Sequence, residues 1–428
     1  MRKTAKEKLT KKRLALRIVL GVLGALLIIV ISYLIYVFAS YHRIPDNQVL
    51  KPSPDPTTYL AMDRVVERIT VEPGDQIYTI MSYNIGFGAY TPDYSFFMDG
   101  GKYSWARSKD GLIQNLKDIG RMLESYDPDF VLLQEVDEDG TRTYHVDERP
   151  YLITSVDPYQ YVFARNFDSP FLFWPLLEPH GANKSGLLTM SRAYISSALR
   201  RSLPVSSSLS KILDYDRAYT VTRIPLGDIG PEQLFKFPDD ADDSENISSS
   251  GKELVIYNVH LSAYGTDASV RDGQVSMLIE DMQSEVEKGN YVICGGDFNH
   301  NLRLGGSDNA PDWAQPFPFT KLPDQLAFAY RRTIDRYSIL DRVLDEDEQA
   351  YIKGIVELLK QRGHNMATVT KHDTCRNADE PYNPDTTFTV MADGFIVSSN
   401  VEVIYYENID LQYAYSDHDP VYMEFRLK

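Results

Sequence analysis

Two cysteines in a chain of 428 residues are too few for a disulfide framework, and no thiolate pair is present to hold a zinc ion. Cys294 lies in an apolar run and reads as a small core residue; a bridge to Cys375 is the alternative. No internal repeat occurs, which excludes a repeat architecture. Positive charge is scarce beyond the N-terminus. Nine Lys/Arg face one Asp/Glu through Arg43, but from Ile44 on there are 35 basic and 60 acidic residues, a net −25. Such a domain is not drawn to nucleic acid or anionic lipid by charge alone, although a local basic pocket remains open to it.

Charge of either sign is missing altogether from Ile18 to Ala39, "IVLGVLGALLIIVISYLIYVFA". That length suffices to cross a bilayer. A cleaved signal peptide also starts basic, but its apolar core is shorter and ends at small residues. Here the end carries Tyr33, Tyr36, Phe38 and Tyr41, as in an interfacial belt. The expectation is a basic cytoplasmic tail (1–17), a transmembrane helix (18–39), a proline-rich linker (40–74) and one large domain (75–428) outside the cytoplasm. Within that domain 227–252 is acidic and irregular and reads as a surface insertion; Asn246 opens a glycosylation triplet there.

The rest alternates strands and helices, a mixed α/β pattern. Strands are expected at 77–84, "DPDFVLLQE", 254–261, "YVICGGDFN", "DGFIVSSN" and "PVYMEFRL". Leu112, Leu116, Ile119 and Leu123 repeat at helical spacing, as do Val275, Leu278, Met282 and Val286, the latter closed by Gly289. Polar residues gather at or just past strand ends: Asn84, Glu135, His260, Asp297, Asn299, Asp393, Asp417 and His418. Singly, each has a plain structural account as a turn former, loop cap, solvated strand end or satisfied core histidine. Together they offer oxygen ligands for Mg²⁺, Mn²⁺ or Ca²⁺, two histidines for proton transfer, and a carboxylate to fix a histidine tautomer. A hard metal, acid–base histidines and no cysteine nucleophile point to hydrolysis of a phosphate ester.

The pieces "SYNI", "DFVLLQEVD", "NVHLSA", "GGDFN", "DGFIVSS" and "SDHDPV" follow the order of the endonuclease/exonuclease/phosphatase superfamily, and from Ile77 to Lys428 the chain resembles it. That superfamily includes deoxyribonuclease I, the repair nucleases of the exonuclease III type, neutral sphingomyelinases and inositol polyphosphate phosphatases. The resemblance implies an α/β four-layer sandwich, two packed mixed β-sheets flanked by helices, here preceded by one transmembrane helix. It implies Mg²⁺ (or Mn²⁺) as cofactor, with Glu135 as the main metal ligand and Asn84 and Asp417 beside it. Asp297 and Asn299 would hold the nucleophile or the phosphate. His418 would be oriented by Asp393, with the general base either His418 or Asp297. His260 matches the deoxyribonuclease I and sphingomyelinase branches. His300 and Asn301 have no place in the motif.

Several segments have no assigned role. Asn166, His180, Asn183 and Lys184 are candidates for substrate contact, and Arg217 is either a phosphate contact or a strand-edge charge. Arg271 and Gln274 read as supports for the loop after His260. Phe171 to Leu177, "FLFWPLL", reads first as packing, with a lipid-facing patch beside the cleft as the alternative. The leading expectation is a membrane-anchored, extracytoplasmic phosphodiesterase acting on a lipid or other envelope phosphoester, with no protein partner implied. An extracellular nuclease is the second reading. An inactive binding module on the same fold would predict losses among the site positions, and none is lost. An inositol polyphosphate phosphatase is a further enzyme reading, but no dense basic cluster stands near the motifs to hold several phosphates.

Overall fold

Alternating β-rich runs and amphipathic helices build two sheets that face each other. The computed structural model describes residues 2–54, 71–153, 159–206, 216–227, 250–263, 268–303, 314–332 and 372–428. The Asn246 triplet lies outside the described residues. In chain order the strands are β1 (Gln48–Val49), β2 (Tyr78–Asn84), β3 (Phe130–Gly140), β4 (Gln160–Asp168), β5 (Asn183–Ser191), β6 (Ser197–Ser202), β7 (Ala218–Pro225), β8 (Glu253–His260), β9 (Tyr291–Asp297), β10 (Leu326–Phe328), β11 (Cys375–Arg376), β12 (Thr389–Val390), β13 (Asp393–Ser398), β14 (Val401–Asn408) and β15 (Val421–Leu427). The helices are α1 (Arg2–Ser40), α2 (Lys109–Tyr126), α3 (Arg149–Ile153) and α4 (Ala268–Glu287).

One sheet has the order β1-β6-β7-β8-β9-β13-β10 and the other β14-β15-β2-β3-β5-β4. Each is mixed: β8–β9 and β2–β3 are parallel pairs, and the remaining pairs of both sheets are antiparallel. β2, β3 and β5 face β8 and β9 across the core. The central strands are apolar on both faces because both faces are covered, and all of β8 and β9 is buried. A polar seam fixes how the sheets meet. Gln134 Nε2 donates to Asn258 Oδ1 at 2.8 Å, and Asn258 Nδ2 donates to the carbonyls of Leu133 and Leu188 in the opposite sheet. Buried polar pairs of this kind penalise any slip that leaves them unmatched.

Helix α2 follows its apolar repeat. Ser108 caps its start by accepting from Gly111 N, Leu112, Leu116, Ile119 and Leu123 are buried, and Asp127 ends it in the left-handed region. α4 covers β9 with Val275, Leu278 and Met282 buried, and Gly289 closes the turn at φ +84°. α1 is exposed over most of its apolar length, with Val37 buried near its end, and, among the described residues, is the helix long and apolar enough to cross a membrane.

The segment expected as linker is partly docked. Arg43 Nε pairs with Asp216 Oδ1 at 2.9 Å, Ile44 N donates to Asp216 Oδ2 at 2.6 Å, and β1 adds an edge strand to β6. Ser53 pairs with Tyr161 further on. A two-residue strand among prolines has no periodicity by which a sequence could reveal it.

Candidate active site

Sheet register assembles the site. His260 is the Cα partner of Asp297 in the β8–β9 pair, and Asp393 is the partner of Asp297 in the β9–β13 pair. Three polar residues from three strands therefore stand abreast at one end of one sheet. In the facing sheet Asn84 is the partner of Gln134, so Glu135 comes next on β3. A register shift between Leu133 and Val136 holds Glu135 at φ +57°. A bulged, non-glycine residue in the left-handed region marks a side chain being aimed, at a conformational cost the surrounding ladder must support.

"GGDFN" reads out from the same register. Gly296 has φ +150°, and a Cβ there would lie 2.0 Å from Val259 O of the neighbouring strand. A Cβ at Gly295 would meet Phe395 at 2.4 Å. The two glycines let β9 lie between β8 and β13 and deliver Asp297. Gly296→Ala is expected to destabilise the protein by about 2 kcal/mol or more, because strain and clash act together. Urea denaturation checks this; an unchanged midpoint would show that β9 has slack.

Asp297 is the hub. Its Oδ2 accepts from Asn84 Nδ2 at 3.1 Å and Asn299 Nδ2 at 3.2 Å, and its Oδ1 accepts from Asn299 N at 2.8 Å. His260 Nε2 lies 3.5 Å and His418 Nε2 3.7 Å from that same Oδ2. These two separations exceed direct hydrogen bonds and suit groups that share a water or a phosphoryl oxygen. His418 Nδ1 and Asp393 Oδ2 are 2.7 Å apart, which fixes the ring and leaves Nε2 facing Asp297.

Electrostatics separates the two histidines. Burial first, then Arg217 and His418, holds His260 well below the usual histidine range. Burial also opposes a charge on His418, but Asp393 and Asp297 outweigh it and hold its pKa well above that range. Burial pushes Asp297 upward, and Asp393 adds to it.

The cleft at the strand ends is lined by Glu135, His260, Asp297, Asn299, Asp417 and His418, all predicted. Asn84 and Asp393 sit one layer behind. The oxygen donors Glu135 and Asp417 both line the cleft. Burial raises the Glu135 pKa and Asp417 adds to it against Arg142, a pairing that a hard divalent cation relieves. Asn84 Oδ1 accepts from Gly86 N at 3.1 Å, and its Nδ2 donates to Asp297 Oδ2 at 3.1 Å and lies 3.4 Å from Glu135 Oε1. Asp297, Asp393 and His418 also converge, with ligand atoms within 4.8 Å, but the short Asp393–His418 contact gives that trio the geometry of a proton relay.

Arg217, one of the two readings of which was phosphate contact, lines the cleft. No motif singles out Tyr90, Phe96, Met98, Asp99, Cys375 or Arg376, which line it too. Cys375 pairs by backbone with His418, and burial pushes its thiol up to about 12, so it is no thiolate nucleophile. Both cysteines are free, and the alternative of a bridge is thereby excluded.

Asn166, His180, Asn183 and Lys184 do not line the cleft. Asn183 Oδ1 accepts from Arg142 N and its amide donates to His180 O, while His180 packs on Phe96 and Phe97. Gln274 does support the loop after His260, donating to Ser262 Oγ at 2.9 Å and accepting from Ser262 N at 3.0 Å. His300 and Asn301 are buried loop residues. The packing reading of Phe171–Leu177 needs correction: Phe171, Phe173, Trp174, Leu176 and Leu177 are exposed, because the loop is tied at its base and turns these side chains outward.

A sequence profile described as the Endonuclease/Exonuclease/phosphatase family matches residues 81–418. Among curated proteins nothing matches. Solved structures that are similar include an endonuclease/exonuclease/phosphatase from Beutenbergia cavernae, at 15% identity and TM-score 0.48, covering 82% of this chain and 72% of that one. Another, from Bacteroides vulgatus, shows 14% identity and TM-score 0.45, covering 83% and 100%. The human Nocturnin catalytic domain with bound sulfate shows 16% identity and TM-score 0.44, covering 83% and 96%.

Proposed function

The chain belongs to the endonuclease/exonuclease/phosphatase family, and from that membership we propose that it is a divalent-metal-dependent phosphodiesterase anchored to a membrane, with its domain outside the cytoplasm. The observation that carries the hydrolase reading is the meeting of His260 and His418 on one oxygen of Asp297, with Asp393 behind His418 and Glu135 across the cleft. Mg²⁺ or Mn²⁺ held by Glu135 and Asp417 would supply charge neutralisation at a phosphoryl oxygen.

The chain's own residues do the rest. Asp297, pinned by Asn84 and Asn299, orients a water and takes its proton. His418, held in place at Nδ1 by Asp393 and kept protonated on both nitrogens by the carboxylates around it, donates its Nε2 proton to the phosphoryl group or the departing oxygen. His260, uncharged in its buried setting, holds a second phosphoryl oxygen. The test is an assay of the full chain with Mg²⁺ against bis-p-nitrophenyl phosphate, p-nitrophenyl phosphate, plasmid DNA and sphingomyelin. Hydrolysis of the diesters supports the reading. Cleavage confined to plasmid DNA replaces it with a nuclease, and hydrolysis of the monoester alone with a phosphatase.

The anchor rests on the uncharged, exposed length of α1 and its basic start. Protease added to intact cells or spheroplasts is expected to digest the domain and to leave the N-terminal tail protected. A protected domain would reverse the orientation.

A further inference from the structure

Five large apolar side chains of one short loop between β4 and β5 face solvent, and Leu177, at 101% relative exposure, has no packing at all. Apolar surface gathered in one place calls for an apolar phase to meet it. The loop is not slack. Leu172 and Gly181 exchange backbone hydrogen bonds at 3.0 and 2.9 Å, His180 N donates to Trp174 O, and Trp105 Nε1 donates to Pro179 O at 2.6 Å.

On its other side the loop lies against α1. Tyr33 OH donates to Phe171 O and Phe171 N donates to Tyr36 OH, each at 3.1 Å. The rings of Tyr33 and Phe173 meet edge to face at 4.8 Å. Ser40, the end of α1, lies seven residues beyond Tyr33, which places Tyr33 roughly 10 Å below the helix end at 1.5 Å per residue. Three residues past that end, Arg43 already pairs with Asp216 and Ile44 N donates to it, so little chain separates α1 from the domain. The loop adjoins the cleft as well: His180 at its base packs against Phe96 and Phe97, and Phe96 and Met98 line the cleft.

We propose that Phe171–Leu177 is a second membrane-inserting element, docked on α1 so that both enter the same leaflet, and that it holds the rim of the cleft at the level of lipid headgroups. The occupant of this apolar surface is the acyl region of the bilayer in which α1 sits. The inference rests on the anchor reading of α1 and narrows the substrate to a phosphoester presented at a membrane surface.

The test uses the full chain in nanodiscs of phosphatidylcholine and phosphatidylglycerol. Leu177→Cys loses no packing, and Cys294 and Cys375 are buried, so an environment-sensitive nitrobenzoxadiazole label attaches at the new thiol. Glu380→Cys, on an exposed residue, is the reference. The Leu177 label is expected to emit further to the blue than the reference, to be quenched by a nitroxide near the top of the acyl chain, and to be shielded from iodide. A label at Met98→Cys is expected to be quenched by a headgroup nitroxide. If the chain co-elutes with the nanodiscs while iodide quenches the Leu177 label as freely as the reference, the loop is not inserted and the anchor stands. A chain that does not co-elute overturns the anchor and the loop with it. A quenched Leu177 label beside a Met98 label blind to headgroups overturns the placing of the cleft.

Discussion

Glu135→Gln is expected to bring turnover to background without unfolding the protein. Glutamine has nearly the same volume and keeps an oxygen to accept from Asn84 Nδ2, so the bulge in β3 has no reason to change. What changes is charge. A neutral amide is a far weaker ligand for Mg²⁺ or Mn²⁺ than a carboxylate, and Asp417 alone cannot replace it. Binding of Mn²⁺, followed by electron paramagnetic resonance, is expected to weaken in step with kcat, while the thermal midpoint stays near that of the parent. EDTA on the parent is expected to abolish activity in the same way. Full turnover in EDTA would falsify the metal-dependent mechanism, and an active Glu135→Gln variant that still binds Mn²⁺ would move the ligand role elsewhere in the cleft.

Much of the candidate site was legible in the sequence because a strand holds its end residues in a fixed place. The apolar runs of β2, β8 and β9 stop at Asn84, His260 and Asp297, β13 starts at Asp393, Glu135 stands at the bulge inside β3, and the register of two sheets then sets these residues near one another. What stayed hidden depends on contacts between segments distant in sequence. Cys375 reaches His418 through a single backbone bridge, which no local pattern announces. The direction of the Asn84 amide is decided by the N–H of Gly86, a matter of turn geometry. Asn183 and His180 carry polar atoms and follow an apolar stretch, yet they bond to one another and to Arg142. The aromatic loop posed the opposite difficulty. Composition cannot distinguish five apolar residues bound for a core from five bound for a surface, and only their place beside Tyr33 and Tyr36 does so.

Removing the imidazole at position 418 or at 260 is expected to lower kcat by about 10²-fold or more, the scale of a positioned proton donor or acceptor. For His418→Ala KM is expected to change less, since that ring transfers a proton, whereas His260→Ala also removes a hold on a phosphoryl oxygen. Asp393→Asn is expected to follow His418→Ala, although Asp393 does not line the cleft. Its Oδ2 is 2.7 Å from His418 Nδ1, and a carboxylate there keeps the proton on Nδ1 and makes Nε2 the atom that faces Asp297. A neutral amide gives the ring no counter-charge, so the doubly protonated ring is no longer favoured and the Nε2 proton that the reaction draws on is lost. That predicts a kcat loss with little change in KM, and a double variant Asp393→Asn/His418→Ala no slower than His418→Ala alone, because the carboxylate acts only through the ring. Additive losses in the double variant would give Asp393 a role of its own. Rates near the parent's for all three single variants would reduce His260, His418 and Asp393 to packing and leave Asp297 to carry proton transfer alone.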